Sequence, residues 1–322
     1  MTTTTTHADR AAGALLGLAC GDAAGVAYEF TSAPYDPQRG PEMIGGGLGP
    51  YAPGEWSDDT QMALCIARVA ASDTPIDSDE GLDAIARGFL DWLREGASDV
   101  GTQTRQVLGA LRADDDGPGI GARMTALAAE LHARSGRTAG NGALMRTAPV
   151  ALAFLEDPER TAGAARMIAE LTHADPLAGD SCVLWCEAIR RSVVDGVQGR
   201  PEDGFGLLPA ERREAWSALA DGTWRQRPLA PNGFTVTALQ AALHAAEQAA
   251  TADEPTEIFR TGIAAAVALG DDTDTIAAIT GSLLGAWTGS EEIPQEWTDM
   301  VHGWPGYDGR QVAALAEEIL GR

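Results

Sequence analysis

The stretch IAAAVALGDDTDTIAAITGSLLGAW, residues 263–287, alternates two apolar runs with one polar break. The break, Gly270-Asp271-Asp272-Thr273-Asp274-Thr275, holds three carboxylates and two hydroxyls, and no Lys or Arg lies within the run. The flanks are rich in Ala, Ile and Leu at helical spacing, so the stretch reads as helix, turn, helix. Asp and Thr at the break suit the free N–H groups of a helix start. Carboxylates are costly to bury unless a positive charge meets them, and hard oxygen ligands select Mg²⁺, Mn²⁺ or Ca²⁺. A cation site and a polar helix cap are both open readings of these six residues.

Working outward, the helical pattern recurs along the whole chain. Apolar residues repeat with helical period over residues 10–20, 82–94, 102–112, 123–133, 148–155, 158–171, 177–194, 210–219, 235–250, 257–269, 274–287 and 309–320. Another helix starts at Ser57, with two Asp in its first turn and Met62, Leu64, Ile66 and Val69 beyond. Gly13, Gly17, Gly21 and Gly25 recur every four residues, a spacing that lets a second helix approach closely. Residues 27–54, 135–145, 196–209 and 222–233 read as loops and 114–121 as a turn, from their Gly and Pro. β-Branched residues form no alternating series. The expectation is an all-α single domain over residues 9–322, preceded by a disordered tail at 1–8.

The 322 residues carry a net charge of −24, which disfavours free nucleic acid and anionic membrane surfaces as electrostatic partners. No uninterrupted apolar run of membrane-spanning length is expected, and the threonine-rich start lacks the features of a signal peptide. The four cysteines show neither disulfide-framework nor zinc-ribbon spacing. Cys20 and Cys65 read as inert, and Cys182 and Cys186 as packing on one helix face. A reduced, cytoplasmic, monomeric protein is expected.

A second acidic cluster, Trp56-Ser57-Asp58-Asp59-Thr60, resembles the first. Either alone fits a helix N-terminus. Two in one chain suggest carboxylates converging on a two-metal site, whose ions sit about 3.5–4 Å apart. An EF-hand is excluded: counted from Asp272, position six is Ala277 and position twelve Leu283. Glu29 follows a helix and precedes a long loop, a place for a mobile acid or base. Gly140–Arg146 is a glycine loop that backbone N–H groups could use to cradle an anion. His173 lies in Thr172-His173-Ala174-Asp175-Pro176. No nucleophile elbow, P-loop or HExxH motif occurs.

In this order, the segments GALLGLACGDAAGVAYEF (13–30), GEWSDDTQMAL (54–64), GNGALMRTAPVAL (140–152), THADP (172–176), NGFTVTALQAAL (232–243) and GDDTDTIAAITGSLLGAW (270–287) resemble the ADP-ribosylglycohydrolase family. The resemblance implies an all-α orthogonal bundle with two Mg²⁺ or Mn²⁺ ions at the base of a cleft. It implies Ser57, Asp58, Asp59, Asp272, Asp274 and Thr275 as metal ligands, and Glu29, Asp58 and Asp59 as the catalytic carboxylates. Asn141 and Gly142 match the loop that holds the ligand's pyrophosphate, and His173 a residue near the ribose. Ser57 stands where the family often has Thr. Asp271 stands where it often has Gly, and is expected not to be a ligand. The implied activity is hydrolysis of the bond joining ADP-ribose to a protein side chain or small molecule. The alternative is a catalytically silent ADP-ribose-binding module. Acceptor contacts are expected from the loops at 34–53 and 196–233, and Phe234 is a candidate to stack on adenine.

Overall fold

The computed structural model describes residues 5–112 and 117–322. Its helices are α1 (His7–Gly25), α2 (Asp58–Ala70), α3 (Asp79–Arg94), α4 (Thr102–Gly109), α5 (Ile120–Ser135), α6 (Ala148–Ala153) and α7 (Pro158–Glu170). They continue with α8 (Pro176–Asp195), α9 (Ser217–Ala220), α10 (Thr235–Ala249), α11 (Pro255–Ala268), α12 (Thr273–Thr288), α13 (Gln295–Thr298) and α14 (Gly309–Leu320). The all-α expectation holds.

The centre of the bundle is the antiparallel pair α1 and α12. The glycine stripe explains how close they come. A Cβ at Gly13, Gly17, Gly21 or Gly25 would lie 2.2 Å from Gly285 O, 2.3 Å from Gly281 O, 2.1 Å from Ala277 O or 2.4 Å from Asp274 Cα. Only residues without a Cβ permit such backbone contact. The pairing also sets a register: the last turn of α1 lies against the first turn of α12. Helices α10 and α11 cover α12 on one side, α8 on another, and α14 packs on α1.

Several expectations change. Thr6 caps α1 by accepting from Asp9 N–H, so the helix starts at His7, inside the stretch 1–8 expected to be a tail. Residues 7–31 do form one stretch long and apolar enough to cross a membrane, contrary to the sequence reading. Its residues 11–28 carry Asp22 as their single charge, which is why the stretch is so apolar. All of its apolar window is buried inside the bundle. The loops at 196–209 and 222–233 contain 3₁₀ turns at Pro201–Leu207 and Thr223–Gln226, and 210–216 is 3₁₀ rather than α. The predicted turn at 114–121 lies partly outside the described residues.

A two-residue-per-strand hairpin, β1 (His302–Gly303) with β2 (Tyr307–Asp308), was not foreseen. It serves the site indirectly. His302 O accepts from Trp56 N–H at 3.1 Å, and the Trp56 indole donates to Trp304 O at 3.0 Å. Trp56 is fully buried there, and it fixes the residue just before Ser57. The four cysteines are free and buried.

A candidate two-metal cleft

Three helix ends meet at one place: the last turn of α1, the first turn of α2 and the first turn of α12. Asp22 comes from α1, Ser57 and Asp59 from the start of α2, and Asp272, Asp274 and Thr275 from the start of α12. Both acidic clusters therefore arrive at one point because the glycine stripe brings α1 and α12 into register.

Asp22 organises the early cluster. Its Oδ1 accepts from Ser57 N–H at 2.8 Å and Ser57 Oγ at 2.7 Å. Its Oδ2 accepts from Thr60 N–H at 2.9 Å and Thr60 Oγ1 at 2.6 Å. Four accepted bonds use the lone pairs of a carboxylate. Asp22 is thus a support that caps α2 from outside, although its oxygens lie close enough to Asp59 and Asp274 to form a metal-sized group. The sequence reading quoted Asp22 without giving it a role. Its one signal was being the lone charge in the apolar part of the helix, residues 11–25, which demands partners.

Ser57 Oγ also lies 3.2 Å from Asp59 Oδ2 and from Asp274 Oδ2. Its single proton goes to Asp22, so its lone pairs face those carboxylates. Asp59 Oδ1 is buried without any hydrogen-bond partner, as is Glu29 Oε2. The Thr275 hydroxyl lies within bonding reach of Asp59 and Asp272. Two groups of carboxylates have ligand atoms within 4.8 Å of one another: Asp22, Asp59 and Asp274, and Glu29, Asp272 and Asp274. They share Asp274. This all-oxygen donor set, with orphaned buried oxygens, fits two hard divalent cations. Asp58 lines the cleft but lies in neither group, and neither does Asp271.

Electrostatics agree with that fit. Burial, then repulsion from Asp22 and Asp58, raises the Asp59 carboxyl well above the usual range. Burial, then Glu29 and Asp59, does the same to Asp274. Burial, then the charges of Asp99, Asp272 and Asp22, raises Glu29 to about 8. Asp22 rises to about 6 by burial, in spite of its hydrogen bonds. Packed carboxylates at such a site call for positive charge or protons.

The cleft above these groups has a volume of about 450 Å³. Glu29, Asp58, Asn141, Gly142 and His173 all line it, so the structure brings the predicted residues together. Asn141 has a second task. Its Nδ2 donates to Asp272 Oδ2 at 2.7 Å and to Asn232 O at 3.2 Å. Both amide hydrogens are thereby used, and the backbone N–H donates to Gly233 O at 3.1 Å, which leaves Oδ1 to meet a ligand. Asn232, fully buried, accepts from Asp272 N–H at 3.1 Å and donates to Gly270 O at 3.2 Å. It was quoted at the head of NGFTVTALQAAL but given no role, because a loop Asn by itself carries no distinguishing signal. Asp99 on the cleft wall was missed for the same reason: nothing separates it in sequence from the other acids. A second cavity of about 500 Å³ shares Gln103, Gly140 and Gly233 with the cleft and reaches Phe234, 44% exposed.

Two strained turns face each other here. Phe30 and Thr31 have φ of 43° and 65°, and Asp271 has φ of 59°, all in the left-handed region. Phe30 N–H donates to Asp271 O at 2.7 Å, which ties the Glu29 turn to the late cluster. Asp tolerates this backbone better than Ala does. Asp271→Ala is expected to cost about 1 kcal/mol and lower the melting temperature by roughly 1–2 °C. Asp271→Gly should stay within about 1 kcal/mol of the parent. Calorimetry checks both, and Mn²⁺ titration should be unchanged in each, because Asp271 lies outside both carboxylate groups.

Comparison with known proteins adds independent findings. The model of the ADP-ribosylglycohydrolase family matches residues 3–322. The chain is 32% identical to the ADP-ribosylarginine hydrolase Tri1 of Pseudomonas putida (strain GB-1), over 98% of this chain and 78% of that protein. It is 32% identical to the ADP-ribosyl-[dinitrogen reductase] glycohydrolase of Rhodospirillum rubrum, over 90% and 89% of the two chains. A solved structure described as an ADP-ribosylglycohydrolase-related protein complex superposes with a TM-score of 0.71 at 28% identity, covering 99% of both chains. On the family match and these full-length likenesses, the chain belongs to the ADP-ribosylglycohydrolase family.

Proposed function

We propose that the cleft hydrolyses the bond between C1″ of the distal ribose of ADP-ribose and a guanidinium nitrogen of arginine. Family membership supports ADP-ribosyl glycohydrolase activity in general. The observation that carries the enzymatic reading is the pair of buried carboxylate groups sharing Asp274, one of which includes Glu29 at 5% exposure. A silent binding module has no need of orphaned, mutually repelling acids. Arginine as acceptor is supported by Asp99, a carboxylate on the cleft wall that suits a cationic leaving group, and by likeness to an ADP-ribosylarginine hydrolase.

Asp59, Asp272, Asp274, Ser57 and Thr275 would hold two Mg²⁺ or Mn²⁺ ions, with Asp58 at the cleft wall beside them. When bound, such cations supply a Lewis acid for the ribose hydroxyls and lower the pKa of a water. Asp22 aligns Ser57 so that its lone pairs face the cation position. Glu29 delivers a proton to the leaving nitrogen and takes one from the attacking water. The C1″–N bond breaks, a C1″–O bond forms, and the products are ADP-ribose and arginine. The Gly140–Gly142 loop and His173 flank the pyrophosphate and ribose, and the adjoining cavity at Phe234 accepts the adenine end.

The test is one panel of arginine-, serine- and nucleotide-linked ADP-ribose, each with Mg²⁺, Mn²⁺ or chelator. Turnover of the arginine conjugate alone, lost on chelation, is the expected result. Binding of ADP-ribose without turnover of any conjugate would favour the silent module. Asp99→Asn is expected to lower kcat/KM on the arginine conjugate by roughly tenfold or more, with any activity on a serine conjugate changed less than about threefold.

A further inference from the structure

Behind the cleft lies a buried arginine that neither metal group uses. Arg146 is 0% exposed. Its Nη2 donates to Thr172 Oγ1 at 2.7 Å, its Nη1 points at Met62 Sδ at 3.6 Å, and its guanidinium carbon sits 4.5 Å from the centre of the Phe89 ring. Among the described residues no carboxylate pairs with it. Thr172 Oγ1 in turn lies 2.7 Å from His173 Nδ1. The far side of that ring, Cε1 and Nε2, lies against the cleft loop. A Cβ at Gly142 would meet those atoms at 3.1 and 3.2 Å, so a residue without one lets the ring reach the wall.

We propose that Arg146 and Thr172 are positioning residues that set the tautomer of His173, so that a neutral imidazole presents its one proton on Nε2 to an acceptor oxygen of the ligand. This rests on the reading of the cleft as an ADP-ribose site. The argument is one of hydrogen-bond supply. A guanidinium has donors only, so Thr172 Oγ1 must accept from Arg146. Thr172 is fully buried, and its own proton needs an acceptor. His173 Nδ1 is the other polar atom within reach. Were Nδ1 protonated, it would donate to Thr172, and the threonine proton would be stranded at a cost of about 1–3 kcal/mol. With Nδ1 as acceptor, all three groups are satisfied and the ring proton falls on Nε2. Burial, then the nearby Arg146 charge, holds His173 down to about 3, which keeps the ring neutral. Gln103 Nε2 donates to Thr172 O at 2.9 Å and steadies the same turn from the cleft side.

The experiment is a long-range ¹H–¹⁵N spectrum of the full chain, labelled with ¹⁵N-histidine, at pH 7 with Mg²⁺. The His173 signals are identified by their loss in His173→Gln. A neutral ring protonated at Nε2 is expected. Thr172→Val, nearly isosteric, should give a mixture of tautomers and weaken ADP-ribose binding roughly tenfold. Thr172→Ser should restore both. A ring protonated at Nδ1, an imidazolium, or an unchanged tautomer in Thr172→Val would overturn the proposal. The wild-type spectrum decides even where a variant fails to fold. Failure of wild-type protein to bind ADP-ribose would instead overturn the function proposed above, and the tautomer would still be read from the ligand-free spectrum.

Discussion

Replacing Asp274 with asparagine is expected to lower hydrolysis by on the order of 10³-fold, while making the metal-free protein more stable. The two effects have one cause. Asp274 belongs to both carboxylate groups, so its loss removes a ligand from each cation position at once. In the absence of cations the same carboxylate is a liability: it is buried, and Glu29 and Asp59 repel it. Asparagine keeps the shape and the oxygen that accepts from Thr275 N–H at 3.0 Å, but carries no charge. The melting temperature of chelated protein should rise by about 2 °C or more, and the further rise on adding Mn²⁺ should vanish. A retained Mn²⁺ shift with full activity would sink the two-metal assignment. The parent protein should show the matching pH dependence. Glu29 titrates at about 8 in the folded, metal-free protein against an ordinary 4.5. The folded state therefore holds a proton that the unfolded chain releases. That contribution to stability is complete below about pH 4.5 and is lost as pH rises through about 8. Mn²⁺ reverses the trend, because it binds the deprotonated carboxylates. Thermal shift across pH with chelator, then with Mn²⁺, measures both slopes.

Much of this arrangement was legible in the chain, for physical reasons. Helical period is a local property, and the apolar runs here are long, so α2, α8, α10 and α12 could be read directly from 3.6-residue spacing. The convergence of Ser57–Asp59 with Asp272–Thr275 could be inferred because buried carboxylates need a partner and no Lys or Arg stood nearby. The glycine stripe announced a close neighbour without saying which; only the fold identifies it as α12. The hairpin at His302–Asp308 escaped because two residues per strand leave no alternation to detect. The roles of Asn232 and Asp99 escaped because a single polar residue in a loop looks the same whether it is solvated or aimed at a site. Asn141 illustrates a subtler limit. Its motif pointed at a ligand, and it does line the cleft, yet its amide hydrogens are committed to Asp272 and Asn232. Which partner a side chain takes is decided by residues 91 and 131 positions away, beyond the reach of any local pattern.

Gly21→Ala is expected to destabilise the protein by about 3 kcal/mol or more, whereas Gly163→Ala should stabilise it by roughly 0.5–1 kcal/mol. Both substitutions add one methyl group to a helix and both relieve the entropic cost of glycine. They differ in what the methyl meets. At Gly163, in α7, nothing lies within 4 Å. At Gly21 the new Cβ would sit 2.1 Å from Ala277 O and 2.6 Å from its carbonyl carbon. Those are backbone atoms of α12, so no rotamer change can relieve the overlap and the two helices must part. Parting them at this level also separates Asp22, one residue on, from the cation groups that it supports. Gly13→Ala separates packing from site geometry. It meets Gly285 O at 2.2 Å, an equally severe overlap, but two turns further from the cleft, about 12 Å along the helix axis. Both variants should therefore melt early by calorimetry. In the fraction that remains folded at low temperature, Gly13→Ala should keep its Mn²⁺ affinity within about threefold, while Gly21→Ala should lose at least about tenfold, in the range seen when supports of metal ligands are disturbed. Equal Mn²⁺ affinity in the two would mean that the α1–α12 contact holds the fold together without setting the geometry of the site.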